Sequence, residues 1–158
     1  MTEPRLSDYR THYRLDAESI EDPASLHPVR SASERRRLQT IKKALRLRAG
    51  EVILDMGCGS GWFAQLCHES ATKVVATDIA PSGVKGARAR FPGSASFAVT
   101  DAYHAAFADE SFDAVVLSEV VEHLELPGAG LAEAARLTKS GGRVLVTVPY
   151  RETIVDHL

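Results

Sequence analysis

Between residues 51 and 149 the chain repeats one pattern: a short apolar run, a polar or glycine-bearing break, then apolar residues spaced three or four apart. The apolar runs are VIL at 52–54, closed by Asp55 and Met56, KVVAT at 73–77, ASFAV at 95–99, FDAVVL at 112–117 and RVLVTV at 143–148. Runs of this kind predict short strands buried on both faces. The segments between them predict helices at 62–69, from Pro81 or Ser82 to about Arg90, and at 131–138, the last with Leu131, Ala134, Ala135 and Leu137 turned inward. A short helical turn follows the fourth strand before Pro127 and Gly128 reset the chain. Strand alternating with helix at this spacing gives right-handed crossovers and an α/β chain with a parallel sheet covered on both faces. Such sheets bind ligands beyond the carboxyl ends of their strands. That directs attention to Gly57–Gly61, Asp78, Asp101, the stretch from Ser118 to His123, and Tyr150.

Ahead of the first strand, Leu38, Ile41 and Leu45 recur on one face of a helix expected over 32–48. Ser31 and Glu34 have capping-box spacing at its start, and Gly50 ends it. Its many basic residues, Arg35 to Arg37 among them, read as the solvated side of a helix lying on a sheet. Residues 1–30 form a variable arm, either loosely packed or folded over a ligand site, and residues 31–158 form the single domain.

Composition narrows the classes. Of 158 residues 44% are hydrophobic and 25% charged, which describes an ordinary globular domain. A net charge of -2 gives no general pull towards nucleic acid or an anionic membrane. Cys58 and Cys67 are too few for a disulfide framework or a zinc site. No stretch has the length and apolarity of a membrane span or a signal peptide, so a cytoplasmic protein is expected.

The chemistry is concentrated in EVILDMGCGSGW, residues 51–62. A loop with Gly57, Gly59 and Gly61 at the end of a buried strand can turn its backbone amides towards a ligand. Asp78, 21 residues beyond Gly57, is placed to accept both hydroxyls of a ribose. The GxGxG spacing, with Trp62 where a dinucleotide site has its last glycine, argues against a nicotinamide dinucleotide. No lysine followed by serine or threonine closes the loop, which excludes a P-loop. Asp55 would oppose phosphates and suits the ammonium of a zwitterionic nucleoside, reached directly or through water.

The series VILDMGCGSGW, VVATD, the acid Asp101, FDAVVLSEVVEHL and GGRVLVTVPY closely resembles the class I S-adenosylmethionine-dependent methyltransferases, over about residues 48–150. The likeness is greatest to the small-molecule branch that includes quinone-biosynthesis enzymes. It implies a Rossmann-like parallel sheet of five recognisable strands in the order 3-2-1-4-5, without the family's usual last two. It also implies S-adenosyl-L-methionine as cofactor. Gly57, Cys58, Gly59 and Gly61 would form the loop along its methionine and ribose portions. Asp78 would bind the ribose, Ile79 the adenine ring, and Asp101 with the Ala102 backbone the adenine edge. Ser118 and Glu119 would border the methyl-transfer site.

A sulfonium is an activated donor, so positioning carries most of the catalysis. An oxygen, nitrogen or carbon acceptor can still need a base, and His123 with Glu119 is the pair to supply it. The competing reading of His123 is a residue that packs a helical turn. Glu119, Glu122 and His123 at i, i+3 and i+4 would share one side of a helix. That resembles the metal site of enzymes acting on RNA ribose 2′-hydroxyls, which need a further late histidine. His157 matches that spacing poorly, so no metal is assigned. No Asn/Asp-Pro-Pro-Tyr run follows strand four, which sets amino-methylation of DNA bases aside. The expected partner is a small-molecule acceptor. A second copy or partner subunit is expected to cover the open edge of strand five. The remaining alternatives are a non-catalytic S-adenosylmethionine-binding subunit or fragment, a metal-dependent RNA ribose 2′-O-methyltransferase and a nicotinamide-binding domain.

Overall fold

In the computed structural model the described residues are 28–149, apart from Ala71. Residues 1–27 of the arm, Tyr150 and His157 lie outside them, and residues 28–30, expected in the arm, belong to the first helix. The elements run α1 (Pro28–Leu45), β1 (Val52–Met56), α2 (Trp62–His68), β2 (Lys73–Asp78), α3 (Pro81–Arg90), β3 (Ser96–Val99), β4 (Phe112–Ser118), a 3-10 turn (Val121–His123), α4 (Pro127–Leu137) and β5 (Thr138–Thr147). The strands form one sheet in the order β3-β2-β1-β4-β5, parallel throughout; the apolar runs predicted the parallel sheet and the family resemblance implied its order.

Helices cover both faces. On one, Ile41 and Leu45 of α1, Phe63, Ala64 and Cys67 of α2, and Val84 and Ala87 of α3 pack on Ile53, Ala76, Ala114 and Val116. On the other, Ala134 and Leu137 of α4 pack on Leu54, Met56, Val115 and Leu117. Alternate residues of β1 and β4 thus serve opposite cores, which explains the consecutive apolar residues Val52–Leu54 and Ala114–Leu117.

The amino ends of the central strands are tied by charge. Asp113 accepts the Val52 amide at 2.8 Å and the Lys139 ammonium at 2.9 Å. Glu51 accepts from Arg143 at 2.7 Å and from the Arg48 amide at 2.9 Å. The opposite end of the sheet is left to the loops that build the site.

Several element limits differ from the sequence reading. Helix α1 begins at Pro28, so Ser31 lies inside it and is not its cap; proline suits a first turn, where its missing N–H is no loss. It stops at Leu45, followed by Arg46 at φ 49, and Gly50 at φ 84 instead shapes the turn into β1. Helix α4 begins at Pro127, which starts the helix that it was expected only to precede. Its buried side is Gly130, Glu133, Ala134 and Leu137, while Leu131 and Ala135 face outward. An earlier start does not alter the helical period. Gly130, Glu133, Ala134 and Leu137 fall at i, i+3, i+4 and i+7, one regular stripe, and Leu131 and Ala135 lie on the strip beside it. Strand β5 meets β4 at Thr138, skips register between Phe112 and Ala114, and resumes at Arg143, with Gly141 at φ 75 in the irregularity.

Among the described residues no helix is long and apolar enough to cross a membrane.

Candidate cofactor and acceptor site

Four loops converge at the carboxyl ends of β1 to β4. The loop after β1 is held from within. The Thr77 carbonyl accepts the Gly57 amide at 2.7 Å and the Cys58 amide at 2.8 Å. The Gly59 amide donates to the Asp78 carboxylate at 2.8 Å, and the Gly61 amide to the Cys58 carbonyl at 2.9 Å. These four N–H groups therefore point into the protein, which corrects the expectation that they face a ligand. What glycine supplies is room. A side chain at Gly57 (φ 83) would strike Val120, and one at Gly61 (φ 81) would come within 2.8 Å of the Ala87 methyl on α3. Gly61 is thus dictated by helix packing and by the start of α2. Trp62, where the dinucleotide pattern has glycine, stacks edge-on against Phe91 with ring centres 4.8 Å apart. Cys58 is buried, and burial pushes its thiol well above the usual range, so it is not a nucleophile.

Three acids lie at the carboxyl ends of the first three strands, Asp55 and Asp78 in the last residues of β1 and β2 and Asp101 just past β3. Asp55 is 2% exposed, and its Oδ2 has no hydrogen-bond partner. Burial and then the charge of Asp78 push its pKa up to about 7, with Arg37 acting in the opposite direction. A buried carboxylate oxygen lacking a donor is a ready acceptor for a cationic group. Asp78 accepts the Gly59 amide through Oδ2 and the Ala80 amide, at 2.9 Å, through Oδ1, so it clasps two loops together. Each of its oxygens retains a second lone pair for hydroxyls. Ile79 beside it is half-buried. Asp101 accepts the Tyr103 amide at 2.9 Å, and Ala102 packs against the α4-side core.

That third loop depends on a group the sequence reading did not single out. Glu133 of α4 accepts the Ala105 amide at 2.8 Å and pairs with Arg136, which also binds the Ala105 and Phe107 carbonyls, each at 3.1 Å. The Arg136 hydrogen bond holds the Glu133 carboxyl below its ordinary pKa. A glutamate on the inward side of an otherwise apolar helix face is the signal that marks it.

At the end of β4, Glu119 has φ 58, a left-handed conformation uncommon outside glycine. It therefore lies outside the helical turn. Glu119, Glu122 and His123 do not share a helix face as expected, because only Val121–His123 forms a 3-10 turn. His123 is exposed, with Glu122 at 3.8 Å. Among the described residues no group of three or more His, Cys, Asp or Glu is gathered to hold a metal ion. The Glu119 amide donates to the Thr147 carbonyl at 3.0 Å, and the Thr147 hydroxyl, 3.1 Å from Ser118 Oγ, donates to its carboxylate at 3.2 Å. Its other oxygen meets Arg37 of α1 at 3.4 Å. Arg37 was read as part of a solvated basic face; the structure brings it into the site. Nothing in the Arg35–Arg37 run distinguishes it; Thr147 was also passed over, although a polar residue near the end of an apolar strand is a signal that marks it.

Residues 54–146, more than half the chain, match the family model described as "Methyltransferase domain". The chain is 31% identical over 142 residues to the methyltransferase GfsG of Streptomyces halstedii, covering 85% of this chain and 51% of that one. It is 37% identical over 103 residues to a demethylmenaquinone methyltransferase of Beutenbergia cavernae, covering 65% and 42%. Among solved structures, the Haloferax volcanii complex of the Trm112 methyltransferase activator with a methyltransferase matches with a TM-score of 0.68 and 30% identity, over 76% of this chain and 56% of that one. The chain spans about half the length of the curated relatives it matches.

Proposed function

This chain belongs to the class I S-adenosylmethionine-dependent methyltransferase family, and from that premise we propose that it transfers a methyl group to a small-molecule oxygen, nitrogen or carbon acceptor. S-adenosylmethionine is the cofactor. When bound, it supplies a methyl group already activated on sulfur.

The observation that carries the reading is the buried, partnerless Oδ2 of Asp55 beside an ordered glycine loop. It fits a ligand with an ammonium group and fits a phosphate badly. Asp78 then receives the ribose hydroxyls, Ile79 lies against the adenine ring, and Asp101 and Ala102 hold the adenine edge. Gly57, Cys58, Gly59 and Gly61 shape the wall, and Ser118 and Glu119 border the acceptor. His123 is the base assigned to the acceptor proton, with Glu119 beside the same opening. The names of the demethylmenaquinone relatives support an acceptor from the quinone-like class. A cytoplasmic location accords with Cys58 and Cys67 as free thiols.

We further assign a second copy or a partner subunit to β5. Val144 and Val146, 41% and 39% exposed, form an apolar stripe beside α4. Mass measurement at high concentration tests this, and a clean monomer of the isolated protein would count against a second copy.

Calorimetry with S-adenosylmethionine, S-adenosylhomocysteine and NAD tests the central reading. Binding of both sulfur compounds and not NAD is expected. Failure of both to bind, or an Asp78→Ala variant that binds them unchanged, would overturn it.

A further inference from the structure

Arg37 is coupled to two carboxylates, by contact to Glu119 and by its charge to Asp55. Its Nη1 lies 3.4 Å from Glu119 Oε2, on the side of the acceptor, and its charge favours the ionised form of Asp55 on the side of the cofactor. We infer that Arg37 changes partner when the cofactor's amino-acid end arrives, leaving Glu119 for the cofactor carboxylate and so releasing Glu119 to the acceptor side. The inference rests on the cofactor reading above.

The reasoning is electrostatic. An α-amino acid carries its ammonium and carboxylate on one carbon, so an ammonium at Asp55 brings a carboxylate into the same corner. Asp55 and Asp78 both repel that carboxylate, and a cation must face it. Arg37 is the cation the structure sets against Asp55, and Glu119 holds its guanidinium meanwhile. Exchange of one carboxylate for another conserves a charge-assisted contact. The move also asks little of the backbone, since the Glu119 amide remains bonded to Thr147 at 3.0 Å while its side chain swings. A partly exposed pair, 31% and 24% by side chain, is weak enough to be exchanged. Cofactor before acceptor is the order of binding that follows.

Calorimetry with S-adenosylhomocysteine, and with 5′-methylthioadenosine, which lacks the amino-acid end, tests the exchange. Glu119→Gln removes the competitor, so S-adenosylhomocysteine should bind roughly two- to five-fold tighter. Arg37→Gln should weaken it at least about ten-fold. Neither change should alter 5′-methylthioadenosine binding, which certifies the fold of each variant. In the Arg37→Gln background Glu119→Gln should have no further effect. Unchanged or weaker S-adenosylhomocysteine binding by Glu119→Gln, or simple additivity of the two changes, would overturn the exchange while leaving the cofactor reading intact. No binding of S-adenosylhomocysteine to the unaltered protein would overturn both.

Discussion

Asp55 and Asp78 lie near the carboxyl ends of neighbouring strands, and the charge of Asp78 adds to burial in raising the proton affinity of Asp55. Its carboxyl is thus pushed up to about 7 in the folded chain, against about 4 in an unfolded one. Raised in this direction, it lends stability that is full below about pH 4, declines as the pH rises, and is gone above about 7. Asp55→Asn should therefore stabilise the cofactor-free protein at pH 8, by about 1–4 kcal/mol, and leave it little changed at pH 4. Thermal melts at the two values check this. A cofactor ammonium needs the charged form, so affinity should climb with pH up to about 7 and then level, with the slope absent in the Asn variant.

Asp78→Ala removes the acceptor shared by the Gly59 and Ala80 amides as well as the one assigned to ribose. Cofactor affinity should fall by about a hundred-fold, since two hydroxyl bonds to a charged group are lost. Titration with S-adenosylhomocysteine measures it. Asp78→Asn, which keeps one oxygen, should lose less.

Gly57→Ala combines a left-handed φ with a collision against Val120. A loss of about 2–3 kcal/mol in unfolding free energy is expected. Pairing it with Val120→Ala should recover only the part due to the collision. Denaturant titrations of the single and double variants separate the two costs.

Glu133→Ala leaves the buried Ala105 amide without its acceptor and should cost about 2 kcal/mol. Because Arg136 holds the Glu133 carboxyl low, its contribution is present above the ordinary carboxylate range and lost as the pH falls through its lowered value. The variant should thus show a shallower acid-induced loss of stability than the unaltered chain. Adenosine binding should weaken too, because the loop after β3 carries Asp101.

His123→Gln should lower kcat by about a hundred-fold if the acceptor proton passes to the imidazole, with S-adenosylhomocysteine affinity unchanged. Unaltered turnover would remove His123 from the chemistry and leave cofactor binding untouched.

Much of this molecule was legible in its sequence, for physical reasons that can be named. The strands announced themselves because β1 and β4 feed Ile53 and Ala114 to one core and Leu54 and Val115 to the other, which requires consecutive apolar residues along their middles. The acids Asp55, Asp78 and Asp101 stood out as candidates because ligands of a parallel sheet bind beyond the carboxyl ends of its strands, and the structure sets all three at that end. Helix faces were read less well. Leu131 was assigned inward on hydrophobicity alone, while the buried position went to Glu133, whose partner Arg136 and acceptor role at Ala105 are tertiary facts. Arg37 was indistinguishable from Arg35 and Arg36 until the path of α1 was known. The helical alignment of Glu119 with His123 failed because the chain turns left-handed at Glu119, a residue type that gives no warning of it.

The double acceptance by the Thr77 carbonyl also has a kinetic side. The Gly57 and Cys58 amides are engaged by a neighbouring strand before any ligand arrives. Their protons should exchange slowly with solvent deuterons in the empty protein and gain little protection on loading. Ordering entropy at this loop is already spent in folding, so cofactor capture should resemble the filling of a mould, with the association rate governed by access to the opening.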